Sequence, residues 1–259
     1  MKNTMQKKTA LLLMIVLVLT AVGCAKTATA QTDADKVKAK GKLVVGMTDF
    51  EPMDYIGPDG TWIGFDADLA RDFAKSLGIE AEFTVIDWDN KTLELDAGNI
   101  DCVWNGMTLT DGVKAAMQTS KPYCGNAQVV VAPADKADGL DYAAMTFAVE
   151  AGSAAEELCK ENGWQFAAMQ SQGDALLEVA SGASAACIID RLMAKAMTGA
   201  GTSYPDLVIA DALNEEEYGV GFRKGSDLAA LLDAFLDGKF ADGSLQALAE
   251  TYGIDLIDR

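Results

Sequence analysis

Apolar and polar positions along the chain switch repeatedly between two periods. Leu43, Val44 and Val45 form a continuous apolar run, as a buried strand does. Residues 47–60 read as a loop, punctuated by Pro52, Gly57, Pro58 and Gly60. In Pro58-Asp59-Gly60 the proline presets φ and the glycine accepts a positive φ. Over 66–77 the period lengthens: Leu69, Phe73 and Leu77 recur at four-residue spacing, with Ala70 and Ala74 beside them. Asp66 and Asp68 favour a helix start there and Gly78 a stop. A strand over 81–86 and a short helix over 91–97, stopped by Gly98, come next. The apolar run 100–104 is a further strand, leading into a polar turn at Asn105, Gly106 and Thr108, with a helix predicted after Thr110.

The alternation then restarts. Strands are predicted at 129–131, 147–149, near Phe166, at 186–189, 207–209 and 218–222, and helices over 154–162, 174–180, 192–197, 227–236 and 244–252. A βα rhythm of this kind gives α/β sheets covered by helices. It occurs on both sides of the segment 122–145, which predicts two lobes. Ligand clefts in such sheets lie at the carboxyl ends of strands. The two most polar strand ends are Trp104-Asn105-Gly106 and Ile189-Asp190, and a third polar turn, Gly152-Ser153, opens a helix.

The N-terminus breaks the pattern. Lys2, Lys7 and Lys8 precede an apolar run over 10–18, and Ala21-Val22-Gly23 brings small residues up to Cys24. This reads as a secretory signal over 1–23, too short for a comfortable membrane span of roughly 20 residues. A cysteine after small residues resembles the bacterial lipobox, which implies cleavage before Cys24 and a lipid on its thiol; an ordinary signal with an incidental cysteine is the alternative. Residues 24–40 carry no apolar periodicity and read as a flexible tether.

Composition narrows the chemistry. With 21 basic and 39 acidic residues among 259, the net charge is −18, which excludes nucleic-acid binding through phosphates. The acidity could favour cationic solutes or simply maintain solubility. There is no histidine, so Ser-His-Asp, Cys-His and zinc-hydrolase mechanisms are excluded in their usual forms. Cys102, Cys124, Cys159 and Cys187 show no CxxC spacing; no metal site and no cofactor are expected. Cys102 and Cys187 sit in apolar runs and are expected as buried thiols, while a disulfide stays open.

Several stretches stand in a characteristic order: Gly64-Phe65-Asp66-Ala67-Asp68-Leu69-Ala70, Asp87-Trp88-Asp89, Gly106-Met107-Thr108-Leu109-Thr110, Ile189-Asp190, and 218–226 from Tyr218-Gly219 to Gly225-Ser226. Together they resemble family 3 bacterial solute-binding proteins, the polar amino-acid receptors of ABC importers, over roughly 40–255. The resemblance implies an α/β, two-lobed fold of periplasmic-binding-protein type 2. Its first lobe would be 41–126 and 214–259, its second 127–213, with crossing hinge strands near 124–127 and 215–218. It also implies a monomer tethered by lipid outside the cytoplasm, delivering a small polar solute to a membrane permease and doing no chemistry. By position it makes Phe50 and Trp88 aromatic walls, gives Asn105, Gly106 and Thr108 backbone and hydroxyl contacts to the ligand, has Ser153 meet a carboxylate, and pairs Asp190 with the α-ammonium.

One position departs. Where the family usually carries an arginine that clamps the α-carboxylate, this chain has Val113, which cannot donate. Lys114 points about 100° away on a helix, and Arg191 is another candidate. The ligand is still expected to be an amino acid, held by Ser153, Thr108 and helix N-termini. The alternative is an amine or modified amino acid without a free carboxylate, for which Asp49, Glu51, Asp54 and Asp89 give some support. A dehydratase-like enzyme on the same fold is a further alternative, with Asp190, Glu150 and Asp49 as acid and base.

Overall fold

The first apolar run takes its place in a parallel sheet. A computed structural model, which describes residues 31–257, sets β1 (Lys42–Met47) between β4 (Glu80–Val85) and β5 (Cys102–Thr108), both parallel to it. The expected signal segment, Cys24 and the first part of the expected tether lie outside the described residues. A hairpin of β2 (Tyr55–Ile56) and β3 (Trp62–Ile63) stands apart from the main sheet. Beyond β5 come β11 (Leu207–Phe222), β7 (Cys124–Pro133), β10 (Ala186–Asp190), β8 (Thr146–Glu150) and β9 (Gln165–Met169), with β6 (Gln118–Thr119) on the side of β11.

Two lobes arise because β7 and β11 serve both halves. The end of β11 pairs with β5, while β7 pairs with β10 at Val129–Val131 and Asp190. Between those ends the two strands cross as an antiparallel ladder, with Ala127 opposite Glu215 and Cys124 opposite Tyr218. Neighbouring strand residues bury on opposite faces: Val45 and Val44, Val131 and Val130, Ile189 and Ile188 lie in separate apolar clusters. That is why these strands read as unbroken apolar runs rather than as alternation.

Three expectations are corrected. First, Asn105, Gly106 and Thr108 are not a turn; β5 continues through Thr108, because Met107 and Thr108 pair with Gly219 and Tyr218. Asn105 and Gly106 are buried within the strand and Thr108 partly so; polarity alone misplaced its end. Second, 207–209 and 218–222 are parts of one 16-residue strand. Register shifts at Ile209/Asp211 and Ala212/Asn214, together with exposed Asp211, Glu215 and Glu217, erase its alternation. Third, the end of the expected tether is a helix, α1 (Asp33–Lys40). A reciprocal capping box between Thr32 and Asp35 starts it, Val37 and Ala34 are buried, and Arg223 pairs with Asp33.

The other helices follow their apolar stripes: α2 (Phe65–Ser76), α3 (Lys91–Ala97), α4 (Asp111–Ala116), α5 (Ala154–Asn162), α6 (Gln172–Ala180), α7 (Arg191–Met197), α8 (Leu228–Ala241) and α9 (Ser244–Tyr252). Cys102, Cys124, Cys159 and Cys187 are buried free thiols, and burial pushes the Cys159 thiol up to about 11. Among the described residues no helix is long and apolar enough to cross a membrane.

Candidate binding site

The carboxyl ends of β5, β8 and β10 converge on one cleft. Phe50, Trp88, Asn105, Gly106, Thr108, Ser153 and Asp190, the seven sequence candidates, all line it. Its empty volume is about 440 Å³, the open solvent at its mouth included, a size suited to a small solute. Lys91, Val113, Glu150, Glu157 and Gln172 also line it and were not assigned to binding from sequence.

The first-lobe wall is held from beneath. Gly106 has φ +54°, and an added Cβ would lie 2.6 Å from Phe50 Cε1, so glycine is required for the ring to pack over this strand. Phe50 is itself buried and meets Tyr218 edge-on at 6.3 Å. The Asn105 side chain is fully engaged within the protein. Its Oδ1 accepts from Thr48 N and Thr48 Oγ1, and its Nδ2 donates to Thr48 O and Asp54 Oδ2. The Gly106 N–H donates to Asp66 Oδ2 at 2.6 Å, and the Tyr123 hydroxyl donates to the same carboxylate. Burial lifts Asp66 to about 7 against the opposing pull of those donors. Burial and the Asp66 charge hold Asp54 well above the usual carboxylate range. The Gly106 N–H that the resemblance gives to a ligand is thus committed to Asp66, and the Asn105 side chain to Thr48 and Asp54.

The second-lobe wall carries acids that face the cleft. Asp190, at the end of β10, accepts from Asn126 Nδ2 at 2.6 Å, Gln128 Nε2 at 3.1 Å, Gln172 Nε2 at 2.6 Å and the Tyr218 hydroxyl. Glu216 shares the same two amides of Asn126 and Gln128. Burial, then the charge of Glu216, pushes Asp190 well above the usual carboxylate range. Among the described residues no lysine or arginine comes within 4.0 Å of Asp190 or Glu150. Glu150 ends the neighbouring strand β8, is 3% exposed, and burial lifts it to about 8 although the Lys91 charge pulls the other way.

The turn after Glu150 joins the lobes. Lys91 Nζ, on the first lobe, donates to Gly152 O at 2.7 Å and to Trp88 O at 3.2 Å, and lies 4.9 Å from the centre of the Trp88 ring. Burial pulls the Lys91 amine down, and the Glu150 charge opposes this. Gly152 has φ +69° and approaches the first lobe so closely that an added Cβ would sit 2.7 Å from Asp89 Cα. Its N–H donates to the Glu156 carboxylate. Ser153 caps α5: its Oγ accepts from Glu156 N, and its N–H donates to Glu150 O at 3.3 Å. Of the α5 entry, the Ala154 N–H remains as the group a ligand could meet.

Other sequence candidates fall elsewhere. Arg191 turns towards Glu215 at 3.4 Å, and neither it nor Lys114 lines the cleft. Asp49 borders a separate recess with Asp87 and Gln170. Glu150 had one readable signal, an acid ending an apolar strand just before Ala151-Gly152; Lys91 and Gln172 look like ordinary helix residues and had none.

The description "bacterial extracellular solute-binding proteins, family 3" matches residues 43–255. The chain is 31% identical to the L-cystine-binding protein TcyJ of Escherichia coli over 232 residues, 86% of each chain. It is 28% identical to the arginine-binding extracellular protein ArtP of Bacillus subtilis, over 92% of this chain and 96% of that one. A crystal structure of a mutant of ArgBP from T. maritima superposes with a TM-score of 0.76 at 30% identity, covering 85% of this chain and 98% of the other.

Proposed function

Since the chain belongs to family 3 of the bacterial extracellular solute-binding proteins, we propose that it captures a small polar solute bearing an ammonium, an amino acid or a closely related amine, between its two lobes. The observation that carries this reading is Asp190: a buried carboxylate facing the cleft, gripped by four neutral donors, with no basic side chain among the described residues paired to it. A buried carboxylate of this kind calls for a counter-ion, and a solute ammonium supplies one. Phe50 and Trp88 offer apolar faces for the rest of the solute, and Thr108 and Ala154 offer polar contacts.

Capture proceeds by closure. The lobes, 41–126 with 214–259 and 127–213, hinge on the crossed strands near 124–127 and 215–218. Closure brings the Lys91 amine onto Gly152 O and so registers the two halves. The protein then presents the solute to a membrane permease of an ABC importer, held at the cell surface as a monomer by a lipid on Cys24. It binds and releases the solute without chemistry, in keeping with the cystine- and arginine-binding names of its relatives.

A thermal-shift screen of the purified protein against the common L-amino acids and their decarboxylated amines tests this. A ligand at about 100 times its dissociation constant stabilises by about 2.7 kcal/mol, which moves the melting point visibly. Stabilisation without turnover supports the receptor reading. Chemical conversion of a hit, or no hit in either class, would overturn it.

A further inference from the structure

We propose that Glu150 reads the solute: its carboxylate accepts a hydrogen bond from a cationic group of the ligand, and the cleft thereby selects a net-cationic solute over a neutral zwitterion. This deepens the receptor reading above and rests on it.

The first ground is the state of Glu150. It lines the cleft and is almost wholly buried, yet its Oε1 has no hydrogen-bond partner. Asp190 differs, with four donors; Glu216 also keeps one oxygen unpartnered, but it is not part of the lining of this cleft. A buried carboxylate oxygen left without a donor is costly, so a donor from the ligand recovers more than a contact at an already satisfied group. Lys91, the base nearest in charge, gives its hydrogen bonds to Gly152 O and Trp88 O and forms no ion pair with Glu150 within 4.0 Å.

The second ground is position. Strands β8 and β10 pair in parallel, Phe147 against Ala186 and Ala148 against Cys187. Glu150 and Asp190 therefore end adjacent strands one residue out of step, which sets their side chains on opposite faces along the strands. At the strand ends both carboxyls nonetheless line the one cleft, so one small ligand reaches both.

The third ground is the balance of charge and donors. Glu150, Asp190 and Glu157 face the cleft against Lys91 alone. The groups that would welcome a carboxylate are weakened: Val113 has no side-chain donor, the Gly152 N–H is held by Glu156, the Ser153 N–H by Glu150 O and the Gly106 N–H by Asp66. Next to the cleft a wider opening shares Thr108, Thr110 and Glu157 with it and continues to Asp111, Glu161 and Glu217, with no lysine or arginine in its lining. An acidic approach raises the local concentration of cations and speeds their entry.

Protonation adds a signature. Glu150 faces Lys91 from α3, Asp174 and Gln172 from α6 and Asp190 from β10, and burial sets its carboxyl to about 8. In the empty cleft at neutral pH it holds a proton, which a cation must displace. Affinity for a cationic solute then rises by up to about tenfold per pH unit while pH climbs towards 8, and levels above it. The proton on Asp190 acts on cationic and zwitterionic ligands alike, so it cancels in the ratio of their affinities and between wild type and a Glu150 variant.

Titration calorimetry of the purified protein and of Glu150→Gln, with L-arginine, L-lysine, cadaverine and L-glutamine as probes, decides the matter. The wild type should bind at least one cationic probe about tenfold more tightly than L-glutamine, and the variant should lose about tenfold or more for that cation while holding L-glutamine. A preference that survives in the variant, or a wild type that favours L-glutamine, overturns the role of Glu150 and leaves the receptor reading standing. Binding of none of the probes overturns the role of Glu150, and the wider screen of amino acids and amines then decides the receptor reading. Should the variant fold poorly, the wild type still decides: a ratio of cation to L-glutamine affinity that stays flat between about pH 6 and pH 8 overturns the proposal.

Discussion

The two lobes bury acids for different ends. Under the first-lobe wall, Asp66 accepts from Gly106 and Tyr123, and Asp54 accepts from Asn105; neither lines the cleft. At the second-lobe strand ends, Asp190 and Glu150 face the cleft, one with neutral donors only and the other with an oxygen lacking any. All four carboxyls sit above their ordinary range because burial disfavours their charge. A raised pKa therefore does not separate a binding acid from a supporting one, and neither does an unpartnered oxygen, which Asp54 also has; the face towards which the carboxylate turns does. The first pair fixes the shape of a wall, and the second leaves a charge for the solute to complete.

The largest effect should come from removing the binding acid. Asp190→Ala leaves Asn126, Gln128, Gln172 and Tyr218 without their shared acceptor and strips the solute ammonium of its counter-ion. Loss of one partner of a buried charged pair costs about 2–5 kcal/mol, so affinity measured by calorimetry should fall by about two orders of magnitude or more. An unchanged affinity would erase the distinction between the lobes.

Removing the supporting acid should act on stability instead. Asp66→Ala strands the Gly106 N–H and the Tyr123 hydroxyl in the core. An unsatisfied buried group costs about 1–3 kcal/mol, so denaturant unfolding should show a loss of about 3 kcal/mol. The order of preference among ligands should stay as in the wild type. A changed order with intact stability would make Asp66 a ligand contact and break the comparison from the other side.

Acids of both lobes should show in the pH dependence of stability, with a smaller net effect. Asp66 moves from 3.8 to about 7 on folding and Glu150 from 4.5 to about 8. Between those limits the folded chain binds more protons than the unfolded one, so stability falls as pH rises. The contribution is fully present below the ordinary carboxylate values and is lost as pH climbs through 7 and 8. Asp33, Asp227 and Glu156, whose carboxyls are lowered, act oppositely and take stability away towards acid. Those three are ionised in both states above about pH 5, so between pH 5 and pH 8 the raised acids set the sign, and the melting point without ligand should be higher near pH 5 than near pH 8. Glu150→Gln and Asp66→Asn should each flatten part of that slope; a melting point that rises with pH contradicts both assignments.

Most of the framework was legible because burial on both sheet faces writes itself as apolar runs such as Leu43-Val44-Val45, and helix stripes such as Leu69, Phe73 and Leu77 carry their own period. The long strand β11 was not legible, because its exposed acids and register shifts follow tertiary pairing rather than local pattern. The same limit holds for the cleft. Strand ends located Asp190 and Ser153, yet whether an N–H is free depends on partners far along the chain. Gly106 lies 40 residues from Asp66, and Lys91 lies 61 from Gly152. Sequence can propose which residues meet, while their unsatisfied atoms emerge only once the lobes are folded against each other.

The smallest predicted effect probes the carboxylate side of the cleft. Val113 sits three residues after the capping Thr110, is partly buried, and lines the cleft facing the α5 entry; an added Cβ on its neighbour Gly112 would lie 3.6 Å from Glu157 Oε1. In Val113→Arg a guanidinium would enter a space bordered by that acid, so Glu157 competes with any ligand carboxylate for it. The gain for a carboxylate-bearing solute should therefore be modest, about tenfold at most, well below what an uncontested bidentate pair can give. Cadaverine, which has no carboxylate, should instead bind more weakly to the variant, because the added positive charge opposes it. Opposite shifts for L-lysine and cadaverine in parallel titrations would show that the second lobe reads the cation while position 113 of the first lobe reads what lies at the other end of the solute. Equal losses for both would mean that position 113 acts only through the overall charge of the cleft, and the division between the lobes would then be one of support against binding, with no carboxylate pole at all.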